Sequence, residues 1–118
     1  MQVSRQDFPD HTVLAIEGPI RVGESARKFY ELMSEVLDAG VTCVLLDFRG
    51  VDYIDSTGLG ELVGFLDRLR GTSARLVLVQ PRDRILTLLR ITGLDQVFPI
   101  FDSLETARTH LGLSGAAG

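Results

Sequence analysis

The sequence predicts an α/β fold: one domain with a mixed, mostly parallel sheet of four to five strands, an N-terminal antiparallel hairpin and about four helices. Three observations carry this. Strand-like and helix-like segments alternate with short connections, which implies parallel strands joined by right-handed crossovers. Residues 42–48 form a continuous apolar run with Asp47 at its end, the pattern of an interior strand covered on both faces. A chain of 118 residues without repeat, low-complexity block or internal linker is long enough for one core.

The elements follow in order. A weak strand over residues 3–8 meets the turn signal Pro9-Asp10. A stronger one over residues 11–17 alternates Val13, Ala15 and Glu17 with Leu14 and Ile16, then stops at Gly18-Pro19. Their short connector suggests a hairpin. Over residues 24–39 the spacing becomes helical: Ala26, Phe29, Tyr30, Met33, Val36 and Leu37 share a face, and Gly40 suits the left-handed residue that ends a helix. After the strand at 42–48, a helix over residues 57–70 places Leu59, Leu62, Val63, Leu66 and Leu69 at core spacing and stops at Gly71. Residues 75–80 read as a strand, and Pro81 opens a helix in which Ile85, Leu88, Leu89 and Thr92 share a face, closed by Gly93. Residues 97–101 read as a last strand, and Asp102 or Ser103 can cap a final helix reaching Leu111. The domain is thus expected over residues 1–111, with a small-residue tail over 112–118.

Composition narrows the function. A formal charge of −4 argues against nucleic-acid binding, which favours a basic face or tail. No apolar stretch has the ~18 residues of a membrane helix, and the first residues lack a signal-peptide core, so a cytoplasmic protein is expected. Cys43 is the single cysteine and lies in an apolar run, which predicts a buried thiol and no disulfide or Cys-rich metal site. His11 and His110, on a strand and a terminal helix, read as surface residues rather than general bases. Arg82, Arg84 and Arg90 fall close together; such a cluster can bind an anion or an acidic partner, but this spacing more often marks the solvated side of a helix.

Functional loops of open parallel sheets lie beyond the carboxyl ends of the strands, which directs attention to residues 49–56 and the turn Asp55-Ser56-Thr57-Gly58-Leu59-Gly60. Asp55, Ser56 and Thr57 each carry an oxygen able to cap the following helix. Capping does not explain Gly58, Gly60 and Gly64, each of which costs a helix roughly 0.5–1 kcal/mol relative to Ala. Bare backbone near a helix start offers a surface on which a partner can lie. Gly60 and Gly64 project away from the core face, whereas Gly58 and Phe65 fall on its flank. Phe65 is either a partly exposed contact or tucked under a neighbouring helix. A helix N-terminus also tolerates phosphate, so phosphorylation of Ser56 would add negative charge beside Asp52, Asp55 and Glu61 and act on a partner rather than on the fold.

The stretch Asp47-Phe48-Arg49-Gly50-Val51-Asp52-Tyr53-Ile54-Asp55-Ser56-Thr57-Gly58-Leu59-Gly60 closely resembles the signature of STAS domains, in particular bacterial anti-sigma factor antagonists. Ile91-Thr92-Gly93-Leu94-Asp95 and Ile100-Phe101-Asp102-Ser103-Leu104 agree, and the resemblance spans roughly residues 3–110. It implies a partner-switching cycle: the unphosphorylated antagonist binds an anti-sigma factor that is also a serine kinase, phosphorylation ends the complex, and a phosphatase restores it. Carried onto this chain, Ser56 is the phosphoacceptor, Asp55 its motif neighbour, and the turn with Glu61, Gly64 and Phe65 the docking face. The protein would then be a kinase substrate without catalytic residue, cofactor or metal of its own, magnesium arriving with the kinase's nucleotide.

One position departs from the family pattern. Gly18-Pro19-Ile20-Arg21 carries Arg where family members commonly have an acidic residue, on a loop expected near Ser56. Either Arg21 pairs with a phosphate on Ser56, or the docking surface has diverged and the chain is a non-switching scaffold or subunit of a signalling or transport complex. An enzyme is the weakest reading: there is no Gly-x-Ser-x-Gly elbow around Ser56 and no phosphate-binding Gly-rich loop with Lys, which leaves only a triad of Ser56, a histidine and Asp55.

Overall fold

The computed structural model describes residues 1–114; the last four residues of the expected tail lie outside the described residues. Five strands form one sheet in sequence order: β1 (Gln2–Phe8), β2 (His11–Glu17), β3 (Cys43–Gly50), β4 (Arg75–Val79) and β5 (Ile100–Phe101). The β1–β2 pair is antiparallel around the two-residue turn Pro9-Asp10, with Phe8 opposite His11; every later pair is parallel. Between the parallel strands lie α1 (Glu24–Asp38), α2 (Ser56–Leu69) and α3 (Asp83–Ile91), and α4 (Leu104–Leu111) follows β5.

Successive crossovers of one hand along a sequentially ordered sheet put their helices on the same face. Leu14, Ile16, Val44, Leu46, Phe48 and Leu78 accordingly bury one face of the sheet against Phe29 and Met33 of α1, Leu62 and Phe65 of α2, and Ile85 and Leu89 of α3. The opposite face presents Val13, Cys43, Leu45, Val77 and Val79 to α4 through Ala107. β3 is buried from Cys43 to Phe48 because it is covered on both sides, as its uninterrupted apolar run implies. Burial pushes the Cys43 thiol up from its ordinary range, in keeping with an inert core residue.

Several local expectations are corrected. Tyr30 is half exposed at the edge of α1, its ring 5.5 Å from that of Phe65. Val63 is exposed as well, because the buried face of α2 runs through Leu59, Leu62 and Phe65. The last strand is Ile100–Phe101 rather than five residues: a 3-10 turn, Leu94–Gln96, precedes it, and Pro99 has no N–H to extend the ladder. Pro81 stands two residues ahead of α3 instead of opening it. Of the two residues expected to cap α4, Ser103 does so, accepting from the Thr106 N–H at 3.0 Å.

His11 is the largest departure, since it is buried rather than on the surface. Its ring stacks on Phe8 at 4.6 Å, and Nδ1 lies 2.7 Å from Asp10 Oδ1. The Arg108 Nε–H of α4 donates to Nε2 at 3.2 Å, which places the ring proton on Nδ1, facing Asp10. Asp10 Oδ2 also accepts from the N–H and hydroxyl of Ser114 at 2.9 and 3.1 Å. Within the expected tail, then, Gly112 takes the left-handed conformation that ends α4, Leu113 packs on the core, and Ser114 bonds to the hairpin turn.

Candidate functional site

Ser56 stands at the carboxyl end of the parallel strands, where β3 gives way to α2. Of the three possible caps, the structure uses one. Asp55, with extended backbone, is the N-cap: its Oδ1 accepts from the Gly58 N–H at 2.9 Å. Ser56 becomes the first helical residue, exposed, with its hydroxyl not needed for capping. Asp55 has a second task. Its Oδ2 accepts from the Val22 N–H at 2.8 Å and so ties the loop after β2 to the turn. The amide hydrogens of Gly58 and then Val22 hold the Asp55 carboxyl below the usual carboxylate range.

Backbone bonds stitch the same two loops together. The Gly18 N–H donates to Gly50 O at 2.8 Å, the Ile20 N–H to Tyr53 O at 2.9 Å, and the Asp55 N–H to Ile20 O at 3.2 Å, making a one-residue parallel bridge between Ile20 and Ile54. Gly58 belongs to this construction. A Cβ on it would stand 2.6 Å from Ile54 Cγ1 and 2.8 Å from Ile20 O, so the helix start can approach the loop only without a side chain. Gly60 and Gly64 are different: they face open space, as the helical wheel predicts.

The expected docking residues therefore divide into two groups. Thr57, Gly60, Glu61 and Gly64 reach solvent fully or in part, whereas Gly58, Leu59 and Phe65 are buried and shape the turn from beneath. Phe65 takes the tucked alternative, edge-on to Phe29 at 6.1 Å. Arg21 is exposed on the stitched loop, near the turn as expected. Its backbone is pinned by Ser25, whose Oγ accepts from the Arg21 N–H at 2.9 Å and donates to Arg21 O at 3.0 Å.

One part of the surface was not foreseen. A groove of about 650 Å³ runs between the start of α2 and the length of α3, with Ile54, Leu59, Ile85 and Leu88 among its lining residues. Tyr53, Ser56, Arg84 and Ile91 also line it, and Ile91 is 77% exposed. The sequence signal was available, since Arg84, Leu88 and Ile91 follow helical spacing, but only the packing of α3 beside Ser56 gives that stripe a meaning. Arg82, Arg84 and Arg90 are solvated, as expected.

Among the described residues neither histidine hydrogen-bonds to Ser56 or Asp55. His11 sits at the amino end of β2 and faces Asp10, about 20 Å of strand away from the carboxyl end where Ser56 lies. His110 packs against Phe101 at 5.3 Å, near the end of α4. Among the described residues no group of three His, Cys, Asp or Glu could hold a metal ion, and no helix is long and apolar enough to cross a membrane.

The STAS domain family model matches residues 2–107. The chain is 38% identical over 92 residues to the anti-sigma-B factor antagonist of Listeria monocytogenes, covering 77% of this chain and 79% of that one. The fold is similar to that of an anti-sigma factor antagonist from Mycobacterium paratuberculosis, with TM-score 0.81, 20% identity and coverage of 94% of this chain and 93% of the other. It is also similar to that of the Bacillus cell fate determinant SpoIIAA in its phosphorylated form, with TM-score 0.73, 17% identity and coverage of 93% and 99%. With its five-stranded mixed sheet, leading hairpin and serine-bearing turn, the chain belongs to the STAS domain family, among the anti-sigma factor antagonists.

Proposed function

We propose that this chain binds an anti-sigma factor with serine kinase activity while unphosphorylated, and that phosphorylation of Ser56 ends the complex. The observation that carries the reading is the exposed Ser56 hydroxyl at the first position of α2, left free because Asp55 does the capping. In the transfer, the Ser56 Oγ–phosphorus bond forms as the bond between the γ-phosphorus and the bridging oxygen of ATP breaks. ADP leaves, and the hydroxyl proton passes to a base on the kinase. The phosphate brings a charge of about −1.5 to −2 to a helix N-terminus, whose dipole tolerates it. The domain stays folded while the surface presented by Thr57, Gly60, Glu61 and Gly64 becomes more negative and bulkier for a partner. A phosphatase that hydrolyses the ester resets the switch. The chain works in the cytoplasm, needs no cofactor and performs no catalysis itself.

Incubation with such a kinase and ATP labels Ser56, and Ser56→Ala abolishes the label. Ser56→Asp weakens the complex with the unphosphorylated form's partner in a calorimetric titration. Labelling at another residue, or equal affinity of the parent and Ser56→Asp together with no labelling, overturns the proposal in favour of a non-switching scaffold.

A further inference from the structure

We propose that Arg84 of α3, and not Arg21, is the cation that receives a phosphate carried on Ser56, and that the resulting pair closes the mouth of the groove between α2 and α3. This rests on the reading that Ser56 is phosphorylated, and adds which arginine reads the phosphate and what the modification does to the surface.

Two arginines stand within the neighbourhood of Ser56, on different elements. Arg84 and Ser56 line the same groove from its two walls. Arg21 lines a separate hollow, with Val22, Glu24, Ser25 and Lys28, in which Ser56 has no part. The charged groups facing the Ser56 position are few. On its own side are the exposed Asp52 and the capping Asp55, whose two oxygens are occupied by the Gly58 and Val22 amides. Across the groove is Arg84, exposed and without an ion pair among the described residues, with Asp83 beside it at the start of α3. Arg21 is likewise exposed and without an ion pair among the described residues, but a phosphate among these groups finds like charge at its own turn, and the guanidinium that shares its groove is that of Arg84.

Guanidinium and phosphate match in shape, two N–H groups of the planar fork meeting two phosphate oxygens. Such a pair spans from the first residue of α2 to the first turn of α3. Leu88, part-buried, and Ile91, 77% exposed, line the same groove, so the charged pair would close over its mouth beside apolar surface that the unmodified protein leaves accessible. Phosphorylation then works by an internal clasp as well as by added charge.

The test does not depend on a kinase. Phosphoserine is incorporated at position 56 by genetic encoding, and the phosphorus resonance is followed against pH in the parent, Arg84→Gln and Arg21→Gln proteins. A nearby cation favours the dianion, so its removal raises the proton affinity of the phosphate. The expected result is a rise of about threefold in Arg84→Gln and no change in Arg21→Gln. Both side chains are exposed, and amide spectra confirm that each variant keeps the fold. A rise in Arg21→Gln alone, or no rise in either, overturns the assignment while leaving phosphorylation of Ser56 untouched. Failure of a kinase to label Ser56 overturns instead the functional reading on which it rests.

Discussion

Gly58 and Gly60 stand two residues apart on one helix and have opposite reasons to be glycine. A methyl at Gly58 meets the Ile20 carbonyl oxygen at 2.8 Å, an atom of the stitched backbone that cannot swing aside. Gly58→Ala is expected to cost about 1–3 kcal/mol, as overpacking typically does, measured by urea denaturation. A methyl at Gly60 meets nothing, so Gly60→Ala is expected to stabilise by roughly 0.5–1 kcal/mol through helix propensity. If Gly60 is kept bare for a partner, the same variant loses affinity while gaining stability. Asp55 is the other residue on which the turn depends. Asp55→Ala removes the cap and the tie to Val22 together, so amide exchange is expected to quicken at both Val22 and Gly58. Faster exchange at only one of them would show that the two loops move separately.

At the scale of the element, α3 carries two faces of different purpose. Ile85 and Leu89 are buried against the sheet, and truncating Ile85 to Ala is expected to cost about 2–5 kcal/mol in a denaturation experiment. Ile91 is exposed on the groove side, and Ile91→Ser is expected to change stability by no more than about 0.5 kcal/mol. Calorimetric titration with the proposed anti-sigma factor partner then separates the faces: Ile91→Ser weakens the complex if α3 forms part of the docking surface. β3 shows how an element can be legible without its ending being so. Its apolar run announces a buried strand, yet the run is closed by Asp47, buried and held by the forked Arg49 guanidinium at 2.8 and 3.1 Å. The pairing raises the Arg49 pKa, through the hydrogen bond first and charge attraction second.

Across the whole molecule, acid acts on stability at both ends: through Asp55 beside Ser56 and, at the hairpin end, through Asp10 and Asp7. Asp10 is held at about 2, chiefly by the His11 hydrogen bond and then by the Ser114 amide. A carboxyl depressed in the folded state contributes stability that is fully present above its ordinary value and is lost as pH falls through the folded value. The window for Asp10 is therefore from about 4 down to about 2, and Asp7, depressed by its bonds to Thr12 and Arg5, acts in the same direction. Asp10→Asn is expected to flatten the loss of stability across that window, read from urea midpoints at a series of pH values. An unchanged slope would mean that the Asp10 contacts do not hold in solution.

The sequence by itself determined the alternation of strand and helix, the hairpin, the serine-bearing turn and the bare flank at Gly60 and Gly64. Each of these rests on local chemistry: side-chain periodicity, glycine at left-handed turns, and short polar residues ahead of a helix. What it left open needed neighbours distant in the chain. Which of Asp55, Ser56 and Thr57 serves as the cap was decided by Val22, which claims the second oxygen of Asp55 from 33 residues away. The burial of His11 was decided by Arg108, 97 residues on, which supplies the partner that an imidazole needs before it can leave water. The placement of α3 near the start of α2 decided that Arg84 and Ser56 line one groove. Helical spacing states which side chains share a face; only the packed sheet states what that face looks upon.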